Sequence, residues 1–205
     1  MKLLASLLMT AAVAIPSVAA FAADAAKPDL VKGQESYGQV CVACHAEDGN
    51  ATITTYPKLA QQHPEYLVKQ LEDFKSGKRV DAVMQGMAAM LEEADMRNIS
   101  AWLATQKDKP GAAKDKDLVT LGERIWRGGI QDRQIAACAS CHSPNGAGIP
   151  SQYPRLSGQH QDYTVKQLSD FRDGKRANNN VMHDVAAKLN DHEIQAVSDY
   201  IAGLH

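Results

Sequence analysis

Two five-residue strings constrain this chain more than anything else in it: Cys41-Val42-Ala43-Cys44-His45 and Cys138-Ala139-Ser140-Cys141-His142. Together they use all 4 cysteines of the 205-residue sequence. Each sets two thiols one helical turn apart and places an imidazole at the next position. The strings sit inside a longer repeat. Tyr56-Pro57-Lys58-Leu59 answers Tyr153-Pro154-Arg155-Leu156, and Gly77-Lys78-Arg79 answers Gly174-Lys175-Arg176. Between residues 56–79 and 153–176, 15 of 24 positions are identical without a gap, which marks a duplication. A polar run from Lys107 to Asp115 separates the copies and reads as a linker. The expected division is a first unit at 23–108, a linker at 109–115 and a second unit at 116–205. A core in units of this size is marginal without a staple, a metal or a cofactor.

The spacing of the strings points to that cofactor. Cys-x-x-Cys-His is a c-type haem attachment signal. Two thiols must reach two vinyl groups on one edge of a flat macrocycle, and the following imidazole then lies under the ring, where it can bind iron. The sequence therefore predicts two covalently attached haem c groups, held by Cys41 and Cys44 and by Cys138 and Cys141, with His45 and His142 on the irons. A zinc ribbon would need both pairs in one tetrahedral site, but they lie about a hundred residues apart. A thioredoxin-like pair wants a βαβ setting, and no strand alternation is present. Two local disulfides would leave the histidines unexplained.

Composition and the N-terminus restrict the setting. The net charge is −2, so no basic excess is available to neutralise phosphates, which argues against nucleic acid as a partner. Lys2, an apolar run over residues 3–13 and Ala20-Phe21-Ala22 have the form of a signal peptide over residues 1–22 with cleavage after Ala22. The run is short for a membrane span. The expected location is the periplasm.

The secondary structure reads as helix and loop. Short helices are expected near 30–40 and 118–127. Helices with Pro64 at N1 and its copy are expected over 64–77 and 161–174. A last helix opens at Asn190 with Glu193 at N3, close to a capping box. Met96, Ile99 and Leu103 share one face in the first copy, as Ile194, Val197 and Ile201 do in the second.

The sixth iron ligand follows from the repeat. The first copy offers Met84, Met87, Met90 and Met96, whereas the second contains Met182 alone. Aligning residues 83–91 with 181–189 sets Met84 against Met182, Met87 against Val185 and Met90 against Lys188. Met84 and Met182 are therefore the expected ligands, and the other methionines are assigned to the haem pocket or the core. His63 and His160 share a repeat position and are the rival ligands, but their place just before a helix suits a cap or a surface contact. His183, His192 and His205 have no ligand twin and are expected on the surface. Carbonyls near Pro57 and Pro154 are the expected acceptors for the proximal imidazoles. Tyr66, Lys69, Gln70 and Arg79, with their copies Tyr163, Lys166, Gln167 and Arg176, suit either haem propionates or a solvated helix face.

The paired Cys-x-x-Cys-His strings, the Tyr-Pro-x-Leu segments, the Lys-Gln-Leu helices and the ending Ile-Ala-Gly-Leu-His together resemble the dihaem cytochromes c4, over essentially the whole mature chain. The resemblance implies an all-α fold of tandem duplicated class I cytochrome c domains related by a pseudo-twofold axis. It implies a periplasmic carrier, often loosely membrane-associated, that takes electrons from a quinol-oxidising complex or another donor and feeds a terminal oxidase. It supports the axial pairs His45 with Met84 and His142 with Met182. It also implies that Gly33 and Tyr37 pack on Trp102, and Gly122 and Trp126 on Tyr200. Gly122 lies 16 residues before Cys138, but Gly33 only 8 before Cys41, so the second copy has an insertion around Gly128-Gly129-Ile130-Gln131.

The expected function is electron transfer without catalysis, because an iron with six ligands has no position for a substrate. The alternative is a dihaem redox enzyme, a small peroxidase or a thiosulfate-oxidising cytochrome, with one open iron.

Overall fold

The computed structural model describes residues 27–205. The leader expected over residues 1–22 lies outside the described residues. Ten helices follow in order: α1 (Leu30–Val40), α2 (Val42–His45), α3 (Pro64–Lys75), α4 (Ala82–Ala89), α5 (Glu93–Thr105), α6 (Lys116–Gly128), α7 (Ala139–His142), α8 (Gln161–Arg172), α9 (Asn180–Ala186) and α10 (Asp191–Gly203). A 3-10 turn lies at Gln131–Arg133. No strand forms among the described residues, only isolated bridges. The first five helices and the last five repeat one arrangement.

Local chemistry sets the ends. Asp29 caps α1 by accepting from the Val31 and Lys32 amides at 3.0 and 3.1 Å, and Asp115 caps α6 in the same way. Helices α3 and α8 stop two residues before Gly77 and Gly174. These glycines take the left-handed conformation, at φ +77° and +72°, that ends a helix with little steric penalty. The capping box expected at Asn190 and Glu193 is present, and Glu92 with Asp95 forms its counterpart on α5.

In each copy the first long helix crosses the last, α1 on α5 and α6 on α10. Glycine makes the crossing close. A Cβ on Gly33 would collide with the Asn98 carbonyl, and one on Gly122 with the Ala196 carbonyl. The aromatic pairs then meet, with Tyr37 and Trp102 centroids 4.7 Å apart and Trp126 and Tyr200 centroids 6.2 Å apart. Tyr37, Leu67, Leu91, Met96, Ile99, Trp102 and Leu103 form the first core. Ile125, Trp126, Val197, Ile201 and Leu204 form the second. We expect Gly33→Ala or Gly122→Ala to destabilise the protein by about 1–3 kcal/mol, because the backbone clash outweighs alanine's better helix propensity. Guanidinium unfolding of each variant checks this.

The segment 109–115 is held along much of its length. The buried Asp199 carboxylate accepts from the Lys114 and Asp115 amides at 2.9 and 3.1 Å. Asn50 accepts from the Lys109 amide at 2.9 Å, and Gly111 lies against Ala202 with no room for a side chain. Lys109 pairs with Asp48, and that ammonium holds the Asp48 carboxyl below its ordinary pKa. The chain between the copies is a clasp.

The copies meet through reciprocal contacts. Gln62 Nε2 donates to the Arg155 carbonyl at 2.8 Å, and the Arg155 amide donates back to Gln62 Oε1 at 2.9 Å. Gln159 does the same with Lys58, at 2.9 Å both ways. This exchange is the pseudo-twofold relation in atomic form.

Candidate functional site

The two attachment strings take one conformation. Each is a single helical turn, in which the His45 and His142 amides donate to the Cys41 and Cys138 carbonyls at 3.1 and 2.9 Å. Positive φ at Ala46 and Ser143, +62° and +68°, ends the turn directly after the histidine. Both thiols of a pair therefore stand one turn apart, with the imidazole beside them.

Both imidazoles are buried, at 6% exposure. His45 Nδ1 donates to the Pro57 carbonyl at 3.0 Å, and His142 Nδ1 to the Pro154 carbonyl at 3.0 Å. These carbonyls are the acceptors expected near the prolines. Such a bond fixes the tautomer and leaves Nε2 with its lone pair free. Burial lowers the pKa of both rings, partly offset by the proline carbonyls, so both are neutral at pH 7, as a metal ligand must be. His142 Nε2 is fully buried and has no hydrogen-bond partner. An orphaned buried acceptor is costly, at about 1–3 kcal/mol, and iron would satisfy it.

The four cysteines form no disulfide. Burial pushes the Cys41 thiol up to about 12 and that of Cys138 up to about 11. A dithiol exchange site needs the opposite shift. No three His, Cys, Asp or Glu side chains among the described residues gather to hold a lone metal ion. Paired thiols beside a neutral imidazole with a free nitrogen fit a c-type haem.

The methionines separate by position. Met84 and Met182 both occupy N3 of a short helix. Asp81 caps α4 by accepting from the Met84 amide at 3.1 Å, and Asn179 caps α9 by accepting from the Met182 amide at 2.9 Å. Both side chains are partly buried. Met96 is core, at 2% exposure. Met90 is the C-cap of α4, and the next residue, Leu91, takes the core position. Met87 is partly buried.

His63 and His160 point their chemistry across the molecule. His63 Nε2 bonds the Ala147 carbonyl at 2.9 Å, and His160 Nε2 the Ala51 carbonyl at 2.7 Å. They are contacts between the copies, in line with their place before α3 and α8. His183, His192 and His205 are exposed, although His183 Nδ1 also donates to the Phe171 carbonyl at 2.7 Å.

The Tyr, Gln and Arg repeat residues form a junction that neither sequence expectation described. Arg79 and Arg176 are each 7% exposed and stack on Phe74 and Phe171, at 4.5 and 4.3 Å. Arg79 donates to Gln70, Tyr163 and Gln167 at 2.9, 3.0 and 2.8 Å. Arg176 donates to Gln167, Tyr66 and Gln70 at 2.9, 3.2 and 3.0 Å. Each arginine thus bonds its own copy's glutamine and the other copy's glutamine and tyrosine. The matched Gln-His pairs at 62–63 and 159–160 were the sequence signal for this contact surface. Asn178, which bonds Gln70 and Asp73 at 3.0 and 2.8 Å, has no twin and left no signal.

The cytochrome c family profile matches residues 30–107 and 132–205. A cytochrome c4 of Pseudomonas aeruginosa is 43% identical over 208 residues, covering 100% of this chain and 99% of that one. A thiosulfate dehydrogenase electron acceptor of Stutzerimonas stutzeri is 34% identical, covering 92% of this chain and 89% of its own length. The crystal structure of reduced recombinant cytochrome c4 from Pseudomonas stutzeri superposes with a TM-score of 0.83 at 42% identity, covering 87% of this chain and 100% of that one.

Proposed function

Because the chain belongs to the cytochrome c family, in its dihaem cytochrome c4 group, and carries two covalently bound haem c groups, we propose that it is a periplasmic one-electron carrier with both irons closed by methionine. His45 with Met84 and His142 with Met182 are the axial pairs. The observation that carries this reading is the placement of Met84 and Met182 at the same capped helix position in both copies. A methionine in each half leaves neither iron open, which favours a carrier over a peroxidase or a thiosulfate-oxidising enzyme.

Bound haem supplies one-electron redox chemistry at iron. The protein's own residues hold and shield it. The Pro57 and Pro154 carbonyls orient the imidazoles. Asp81 and Asn179 fix the helices that bring the methionines. Arg79 and Arg176, with no carboxylate paired to either guanidinium among the described residues, supply buried positive charge suited to propionates. The division proposed is 23–108 and 116–205 joined by the clasp at 109–115.

The periplasmic setting rests on the leader-like N-terminus; no described helix is long and apolar enough to cross a membrane. A terminal oxidase is the acceptor proposed. The relative that serves a thiosulfate dehydrogenase as electron acceptor favours, as a second reading, a thiosulfate-oxidising dehydrogenase in place of a quinol-oxidising complex as donor.

Carbon monoxide tests the closed irons. The reduced native protein should keep its low-spin spectrum under the gas. Binding of carbon monoxide by a substantial fraction of the native haem would overturn the carrier reading in favour of an open-iron enzyme.

A further inference from the structure

We infer that the insertion at residues 129–137 braces the segment carrying Met182, and that the unbraced segment carrying Met84 is the first to yield its iron to a competing ligand. The inference rests on the methionine assignment proposed above.

The insertion closes on itself. Ile130 and Ile135 exchange backbone bonds at 2.9 and 3.0 Å, with Gly129 and Gln134 turning the chain at φ +68° and +53°. Its tip then grips the junction of α9 and α10. Arg133 Nη1 donates to the Lys188 carbonyl at 3.2 Å, and Arg133 Nη2 forms an ion pair with Glu193. Lys188 Nζ donates back to the Gln134 carbonyl at 3.1 Å. Glu193 is the N3 residue of the α10 capping box, so the ion pair also fixes the start of α10. Beneath these contacts Ile135, at 3% exposure, packs with Leu189 and Ile194, and Val185 of α9 packs against them. Two further ties reach this region from α8: the His183 ring to the Phe171 carbonyl, and Arg172 to Asp191 at 2.6 Å.

The first copy has no such brace. Cys41 caps α1 directly, leaving no chain for a loop. Met90 stands where Lys188 stands and has no ammonium to donate. Asp95, in the place of Glu193, keeps its capping bond to the Glu92 amide but otherwise accepts only from the Ser36 hydroxyl, at 3.3 Å. Among the described residues one cation reaches this turn, Lys75 on the Leu91 carbonyl, and it is the counterpart of Arg172. Residues 82–91 carry no charged side chain, whereas 180–189 contain Asp184 and Lys188. Displacing a methionine requires its segment to move from the iron. Every contact that must break for this motion lowers the population of the open form.

The test titrates the ferric holoprotein with imidazole and follows the long-wavelength sulfur-to-iron absorption of methionine-ligated haem. The expected result is two steps of equal amplitude, separated about tenfold in imidazole concentration, as about 1.4 kcal/mol of bracing would give. Met84→Ala should delete the low-concentration step and Met182→Ala the high one. Arg133→Ala should lower the high midpoint several-fold without moving the low one, and Arg133→Lys should recover part of the shift. A single step, the reverse order, or an unmoved midpoint in Arg133→Ala would overturn the inference. If either methionine variant keeps the whole absorption, the ligand assignment has failed and not the brace.

Discussion

Serine in place of both Cys138 and Cys141 will leave a chain with one covalent haem, seen as the loss of one haem mass from the intact protein and half the haem absorbance per chain. A serine hydroxyl cannot form the thioether to a vinyl group, and Cys41 with Cys44 will keep theirs. The second copy then loses more than a cofactor. Without the haem, His142 Nε2 would stand buried with no partner, a state that costs about 1–3 kcal/mol. Residues of α6, α8 and α10 pack with Cys138 and Ala139 in one core, in a unit too small to hold a core with ease. The variant should therefore unfold in two transitions, with Trp126 reporting the earlier and Trp102 the later. Cys41→Ser with Cys44→Ser should reverse the order. Loss of both haems from either variant would show that the copies do not mature independently.

Arg176→Leu should cost about 3–5 kcal/mol, read from guanidinium unfolding of the holoprotein. The guanidinium is buried, stacked on Phe171, and donates to Gln167, Tyr66, Gln70 and Asn178. Leucine fills part of the volume but leaves those acceptors with fewer donors in a place water reaches poorly. Hydrogen bonds from a charged group are worth about 1.5–3 kcal/mol each, and they do not simply add. A second readout separates the lost charge from lost packing. Burial alone would raise the Tyr66 phenol, but Arg176 and Arg79 outweigh it and hold Tyr66 below its ordinary pKa. Removing Arg176 takes away the larger of those two charges' effects, so the phenol should ionise at higher pH in alkaline absorbance titration. Arg79→Leu together with Arg176→Leu should be less than additive, because both arginines share Gln70 and Gln167.

Much of the haem centre was legible in the sequence because its chemistry is local. Cysteines three apart and a histidine at the next position specify one turn, and the proline carbonyl 12 residues later lies within the same repeat unit. The proposal of Met84 rests on another signal: an internal copy supplied the comparison that one domain alone could not. Contacts between the copies were harder to read. Tyr66, Gln70 and Arg79 have one sequence pattern whether they face solvent, propionate or another helix, and only docking of the copies decides. The insertion was visible as extra length, but its grip on Lys188 and Glu193 joins residues more than 50 positions apart.

The reciprocal bonds of Gln62 with Arg155 and of Gln159 with Lys58 have an evolutionary reading. In a symmetric pair of identical chains every substitution falls twice, once on each side of the axis. Here the two sides are written separately in one chain, so either can change without the other. The axis keeps matched groups at Gln62 and Gln159, while away from it Met90 faces Lys188 in the alignment and one copy alone has gained a loop. Fusion thus releases the two redox stations from identity, letting each be tuned by its own mutations while the shared seam holds them together.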